Sequence, residues 1–223
     1  MVVVDRLTAP RLDRYDDFVA ECHRRWPQYL RVVSGILRGL TPNLLRTASP
    51  HPDGFVKLAI GPPGWVADGQ VRLHFWLPGR TPSQQPHSHP WHLGSLALAG
   101  VYHEHQPTLL AVDSGCLRKF EVSYLPGQDV RTDVRPVGAQ TYRSEPGELL
   151  ATEEGTAHFL PAGPVHMSAP DGSGGITLAV TSPRFADHAY FYGDRGMLDL
   201  GSVGPDDIEA IMALARGARG SLY

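Results

Sequence analysis

Two stretches constrain this chain more than any others: Pro86-His87-Ser88-His89-Pro90-Trp91-His92 and Pro161-Ala162-Gly163-Pro164-Val165-His166. Alternate residues of a β-strand share a face, so His87 and His89 aim at one point, and His166 follows directly on a Pro/Gly turn. Three imidazoles carried on rigid strands and converging in a barrel mouth form a site for a divalent transition metal. The rest of the chain must then supply a strand framework around them.

That framework is legible from residue 55 onward. Short β-type runs, each bounded by Gly, Pro or Asp, occupy 55–60, 71–77, 91–104, 108–112, 117–125, 139–143, 148–151, 156–160 and 175–181. Many short strands with frequent turns indicate a sandwich or barrel. The polar, turn-rich segment between Pro126 and Pro146 reads as an outer hairpin. Upstream, apolar residues recur at spacings of three and four from about 11 to 39, with Asp13 as a cap, Gly39 as a stop and Pro27 dividing the run into two helices. A short helical piece at 42–46 leads into a turn cluster at 50–54. Downstream, Gly204-Pro205-Asp206-Asp207 opens a C-terminal helix with an apolar stripe through Ile208, Ile211 and Ala215, fraying at 217–220. The organisation expected is an all-β core with N-terminal helices and a C-terminal helix: 1–54 helical extension, 55–185 barrel with the metal site, 186–223 C-terminal segment.

Composition excludes several classes. With 223 residues the chain supports one substantial core. A net charge of −3 argues against a nucleic-acid or anionic-membrane surface. No run of about 18 apolar residues exists, and the early charge at Asp5 does not fit a signal peptide. Cys22 and Cys116 are too few for a disulfide framework, so the default compartment is the cytoplasm.

Three neutral imidazoles leave an ion its full charge and two or three open positions, which favours Fe(II), Mn, Ni, Cu or Zn over Mg or Ca. A facial set with a carboxylate would need an acid nearby, and the nearest downstream of His89 is Glu104. Tyr102 and Glu104 share a strand face and would give a proton donor and a base if that face turns inward.

The two histidine motifs resemble those of the cupin superfamily. Downstream, Gly155, Pro161, Gly163 and His166 match its spacing; upstream, His87-x-His89 is followed by Gly100 at the usual interval. Leu93 or Gly94 stands where many cupins carry a metal-binding Glu, and Pro170 stands where Asn is usual. The resemblance covers roughly 55–182 and implies a cupin (double-stranded β-helix, jelly-roll) barrel. Lack of the acid points to the three-His branch that resembles cysteine dioxygenase and related thiol dioxygenases. Phe55-Val56-Lys57 falls where that family has aromatic-x-Arg, whose Arg holds the substrate carboxylate, so the resemblance implies that Lys57 anchors an anion. Trp76 and the stretch from Thr177 to Phe185 also match. The family's Ser, His and Tyr on that last strand fall here at Thr177, Ala179 and Thr181, so the outer-sphere His and Tyr are absent, and cysteine is not the expected substrate.

The ligands expected are therefore His87, His89 and His166, with Lys57 in substrate binding and His92 or Tyr102 as catalytic groups around the metal. His92 has a second reading as a strand residue facing out, and His103, His105 and His158 read as exposed or core-edge histidines. The function these imply is a mononuclear non-haem Fe(II) oxygenase without organic cofactor, taking dioxygen and a small anionic chelating substrate of thiol or hydroxy/keto acid type. The alternative is a redox-inert Zn, Ni or Mn lyase, isomerase or hydrolase. The apolar run from Gly94 to Val101 offers a homodimer face.

Overall fold

The computed structural model of the chain describes residues 14–51, 54–61, 69–79, 85–124, 131–194 and 202–218. Helix α1 (Tyr15–Arg38) carries a buried stripe of Phe18, Cys22, Trp26, Tyr29, Val33 and Leu37, one residue every three or four positions. Pro27 does not divide it. The ring removes one helical hydrogen bond, but the stripe on either side packs into one core and holds the helix continuous. Gly39 is the C-cap, its N–H donating to the Gly35 carbonyl. Asp13 lies outside the described residues, and Arg14 occupies the N-cap. The short helix α2 (Pro42–Leu45) begins at Thr41, whose hydroxyl accepts from the Leu44 N–H at 3.3 Å.

Eleven strands among the described residues form two antiparallel sheets, the all-β core of the fold. The first sheet orders β1 (Ser49–Pro50), β2 (Phe55–Gly61), β3 (Val71–Trp76), β10 (Gly175–Thr181), β4 (Leu93–Ala99) and β8 (Ala157–Leu160). The second orders β11 (His188–Gly193), β6 (Leu117–Tyr124), β7 (Arg131–Thr152), β5 (Tyr102–Val112) and β9 (Met167–Pro170). Helix α3 (Pro205–Ala218) packs with α1 on the outer face of the first sheet, where Ile211 and Ala215 join its core. The Asp207 carboxylate accepts the Gly204 N–H at 3.1 Å and caps that helix.

This covering inverts the usual polarity of a barrel strand. In β3, Val71, Leu73 and Phe75 pack beneath the helices, while Arg72, His74 and Trp76 point into the barrel. In β10, Ile176, Leu178 and Val180 face the helices and leave Thr177, Ala179 and Thr181 on the inner side. Both strands are buried along their whole length.

Several boundaries differ from the sequence reading. The run 91–104 is two strands, because Gly100 adopts φ +77° and turns the chain between β4 and β5. Strand β5 continues through Pro107, and β7 runs unbroken through Pro136 and Pro146 where an outer hairpin was expected. Prolines 107 and 146 lie at a register shift between the two strands, where the ladder skips a residue and the missing N–H costs nothing. Strands β1, β9 and β11 are additional, and β11 pairs with β6, so the barrel extends to residue 193. Strand β4 lies between β10 and β8, with Leu96 and Leu98 under the helices. Leu96 and Leu98, in the apolar run that the sequence offered as a homodimer face, are therefore covered by the chain's own helices.

Candidate metal centre

His87 and His166 face each other as a hydrogen-bonded antiparallel pair: His87 N–H donates to the His166 carbonyl at 2.9 Å, and His166 N–H to the His87 carbonyl at 2.8 Å. Directly opposed residues of such a pair project to the same side. His89, two residues beyond His87, projects there too, its carbonyl fixed by the Gly163 N–H at 3.0 Å. Gly163 holds φ +102°, which lets the downstream turn close against the first motif. The ring centroids are 4.4 to 4.9 Å apart, and the three ligand nitrogens lie within 4.8 Å of one another. Among the described residues no carboxylate or thiol joins this group.

The donor chemistry fits a transition metal. His87 Nδ1 sits 3.0 Å from the Gln85 carbonyl, which an imidazole nitrogen can meet only as an N–H donor, so Nε2 carries the lone pair. His89 Nδ1 is buried with no hydrogen-bond partner among the described residues. Burial, then the nearby His166 and His87 rings, hold the His89 imidazole well below the ordinary histidine range, which keeps it in the neutral, ligating form. Trp91 stacks on the His89 ring at 5.1 Å and 18°.

The triad opens on a cavity of about 40 Å³ between the sheets. At about 10–15 Å³ per water, this holds roughly three water-sized groups. Arg72 lines it and is only 7 % exposed. Its Nε donates to Gln70 Oε1 at 2.7 Å, and its guanidinium lies 5.4 Å from the Trp91 ring centre. Ala179, with no more than a methyl group, sits in register between Arg72 and Ser95 and leaves room for the guanidinium. On the opposite wall Tyr102 and Glu104 project inward together. Glu104 is 1 % exposed, and its Oε2 accepts from Ser168 Oγ at 2.6 Å. Burial raises the Tyr102 phenol, outweighing the Thr152 and Ser95 side chains, which lower it, and the nearby Glu104 raises it further, so it is held as a proton donor. His158 also lines the cavity, lowered by burial.

Similar solved structures are cupins. One is an RmlC-like cupin from Shewanella frigidimarina NCIMB 400, 15% identical, with a TM-score of 0.36, covering 63% of this chain and 86% of that one. Another is a cupin-like protein from Thermotoga maritima, 14% identical, with a TM-score of 0.26, covering 70% of this chain and 84% of that one. No family model matches the chain, and no curated protein does. Among the described residues no helix is long and apolar enough to cross a membrane.

Of the site residues expected from the sequence, His87, His89, His166 and Tyr102 come together around this cavity. His92 does not. Its ring turns away beneath α1, against Tyr15 (5.4 Å), Phe18 (5.6 Å) and Phe185 (4.7 Å), and its Nδ1 accepts the Ala162 N–H at 2.9 Å. Trp91 and His92 lie in the bend just before β4, which leaves Trp91 lining the cavity and turns the His92 ring to the helix side. What His92 does is tie the downstream turn to the helix. Lys57 shares the inward face of β2 with Phe55 and pairs with His74 in register, but its side chain is not among those lining the cavity. The buried cation is Arg72 instead. Sequence reasoning missed it, although the signal was present. N-terminal helices must cover one face of a sheet, and Val71, Leu73 and Phe75 are the residues that suit that face. His158 was expected at the core edge or surface and lines the cavity as well.

Proposed function

We propose that the chain is a mononuclear non-haem Fe(II)-dependent oxygenase, without organic cofactor, acting on a small anionic chelating substrate of thiol or hydroxy/keto acid type. The observation that carries this reading is a ligand group made of imidazoles alone, opening on a small cavity that holds a buried guanidinium. Neutral ligands leave the charge of the ion uncompensated, so an anionic chelator gains most there. Iron, when bound, would supply redox chemistry with dioxygen beside the chelated substrate. The chain's own residues do the rest. The Arg72 fork, oriented by Gln70, holds a carboxylate in two-point contact. Tyr102 donates a hydrogen bond from the opposite wall, and the small cavity keeps bulk water away. Lys57 is a candidate anchor at the edge of the site.

Protein purified without chelator and without air is expected to carry iron, to give a high-spin iron–nitrosyl signal with nitric oxide, and to consume oxygen with members of a panel of small thiols and hydroxy acids. Zinc or nickel with no oxygen uptake would favour a redox-inert lyase, isomerase or hydrolase. The paired Tyr102 and Glu104, with Ala179 and Thr181 where thiol dioxygenases have His and Tyr, are the features that favour this second reading. Arg72→Met is expected to raise KM for an anionic substrate about 10–100-fold, the worth of one charge-assisted hydrogen bond of about 1.5–3 kcal/mol. Lys57→Met is expected to raise it less; the reverse order would return the anchor to Lys57.

A further inference from the structure

Glu104 is an acid almost wholly withdrawn from water in the wall of the cavity, and the three-imidazole group does not use it. Its place is set by register. Glu104 on β5 pairs directly with Ser168 on β9, and Ser168 follows two residues after His166 on the same side of the strand. That spacing puts the Glu104 register position about 7 Å along the sheet from that of His166, with both side chains lining the same cavity. The Ser168 hydroxyl fixes the plane of the carboxyl group by donating to Oε2. Tyr102 flanks it on its own strand, and Ser95 and His158 face it from the other sheet. A buried acid oriented by a hydroxyl, beside a site for anionic chelators, is placed to receive a proton.

We propose that Glu104 is the catalytic base that takes the proton a neutral chelating group gives up as it binds at the triad, an inference that rests on the metal-site reading above. In that step the O–H or S–H bond of the ligand breaks, the electron pair stays on the oxygen or sulfur as the anionic donor, and the proton passes to the Glu104 carboxylate to form the acid. No oxidant or reductant is required. The substrate class is thereby narrowed to molecules that arrive protonated at the chelating atom, such as thiols, α-hydroxy acids and enols, rather than preformed dianions.

Acetohydroxamic acid is a suitable probe: it is small, neutral at neutral pH, and chelates as the anion. The Co(II)-loaded full-length protein would be titrated with it, following the cobalt absorption bands for binding and calorimetry in two buffers of different ionisation enthalpy for protons. Wild type is expected to bind with close to no net proton release, and Glu104→Gln to bind at the same site with about one proton released per chain. Release of a full proton by wild type overturns the proposal, whether or not the variant folds. So does a cobalt spectrum that the probe leaves unchanged. Failure of wild type to take up cobalt at all would instead overturn the metal site itself.

Discussion

Alanine at position 166 is expected to give a folded protein that no longer holds a first-row metal ion. In the proposed site His166 is the ligand that joins the second motif to the first, and two imidazoles two residues apart make a poor site alone. Losing even an outer-shell partner costs about 10–100-fold in metal affinity, and losing one of three ligands must cost more. The fold should persist, because the His87–His166 pair is held by two backbone hydrogen bonds that alanine keeps. Competition against a chromophoric chelator measures the affinity, and circular dichroism with thermal unfolding reports the fold. Stoichiometric metal in the folded variant would remove His166 from the site.

Gly100→Ala is expected to destabilise the barrel strongly, because it combines a left-handed backbone with a backbone collision. The residue holds φ +77°, and a Cβ there would collide with the Gly174 carbonyl oxygen and sit 3.2 Å from the Gly175 Cα. Both obstacles are backbone, at the start of the fully buried β10, so neither can swing aside. The left-handed conformation costs roughly 1–2 kcal/mol for a residue with a side chain, and forced overpacking typically adds about 1–3 kcal/mol. Gly155 has a similar φ of +80° with nothing within 4 Å of the added carbon, so its alanine variant carries the first cost only. Urea unfolding of the two variants against wild type separates the terms, and equal losses would mean that the close approach at Gly100 is not what fixes its identity.

These two positions also show how much could be read from the chain. Gly100 and Gly155 stand at motif spacings, and the convergence of His87, His89 and His166 followed from alternation and one turn, because those rules act on neighbours in sequence. Arg72 and Glu104 were harder, since which face of a strand turns inward depends on what covers the other face. For Arg72 on β3 the answer lies in a helix that begins 57 residues before it, at Tyr15. For β5 it lies in the pairing with Ser168 across the second sheet. His92 misled because adjacency in sequence to the triad is not nearness in space: the bend before β4 turns its ring to the helix side. Pro27, Pro107 and Pro146 misled for a related reason, as tertiary packing and a bulge absorbed breaks that local rules impose.

The most direct test of the account is the metal stoichiometry of the wild-type chain, determined by elemental analysis after anaerobic purification and again after titration with Fe(II), with His166→Ala alongside. One transition-metal ion per chain, absent from the variant, is the result expected of three neutral imidazoles converging within 4.8 Å. A wild-type protein that stays metal-free under titration, or one whose ion survives the loss of His166, would contradict it.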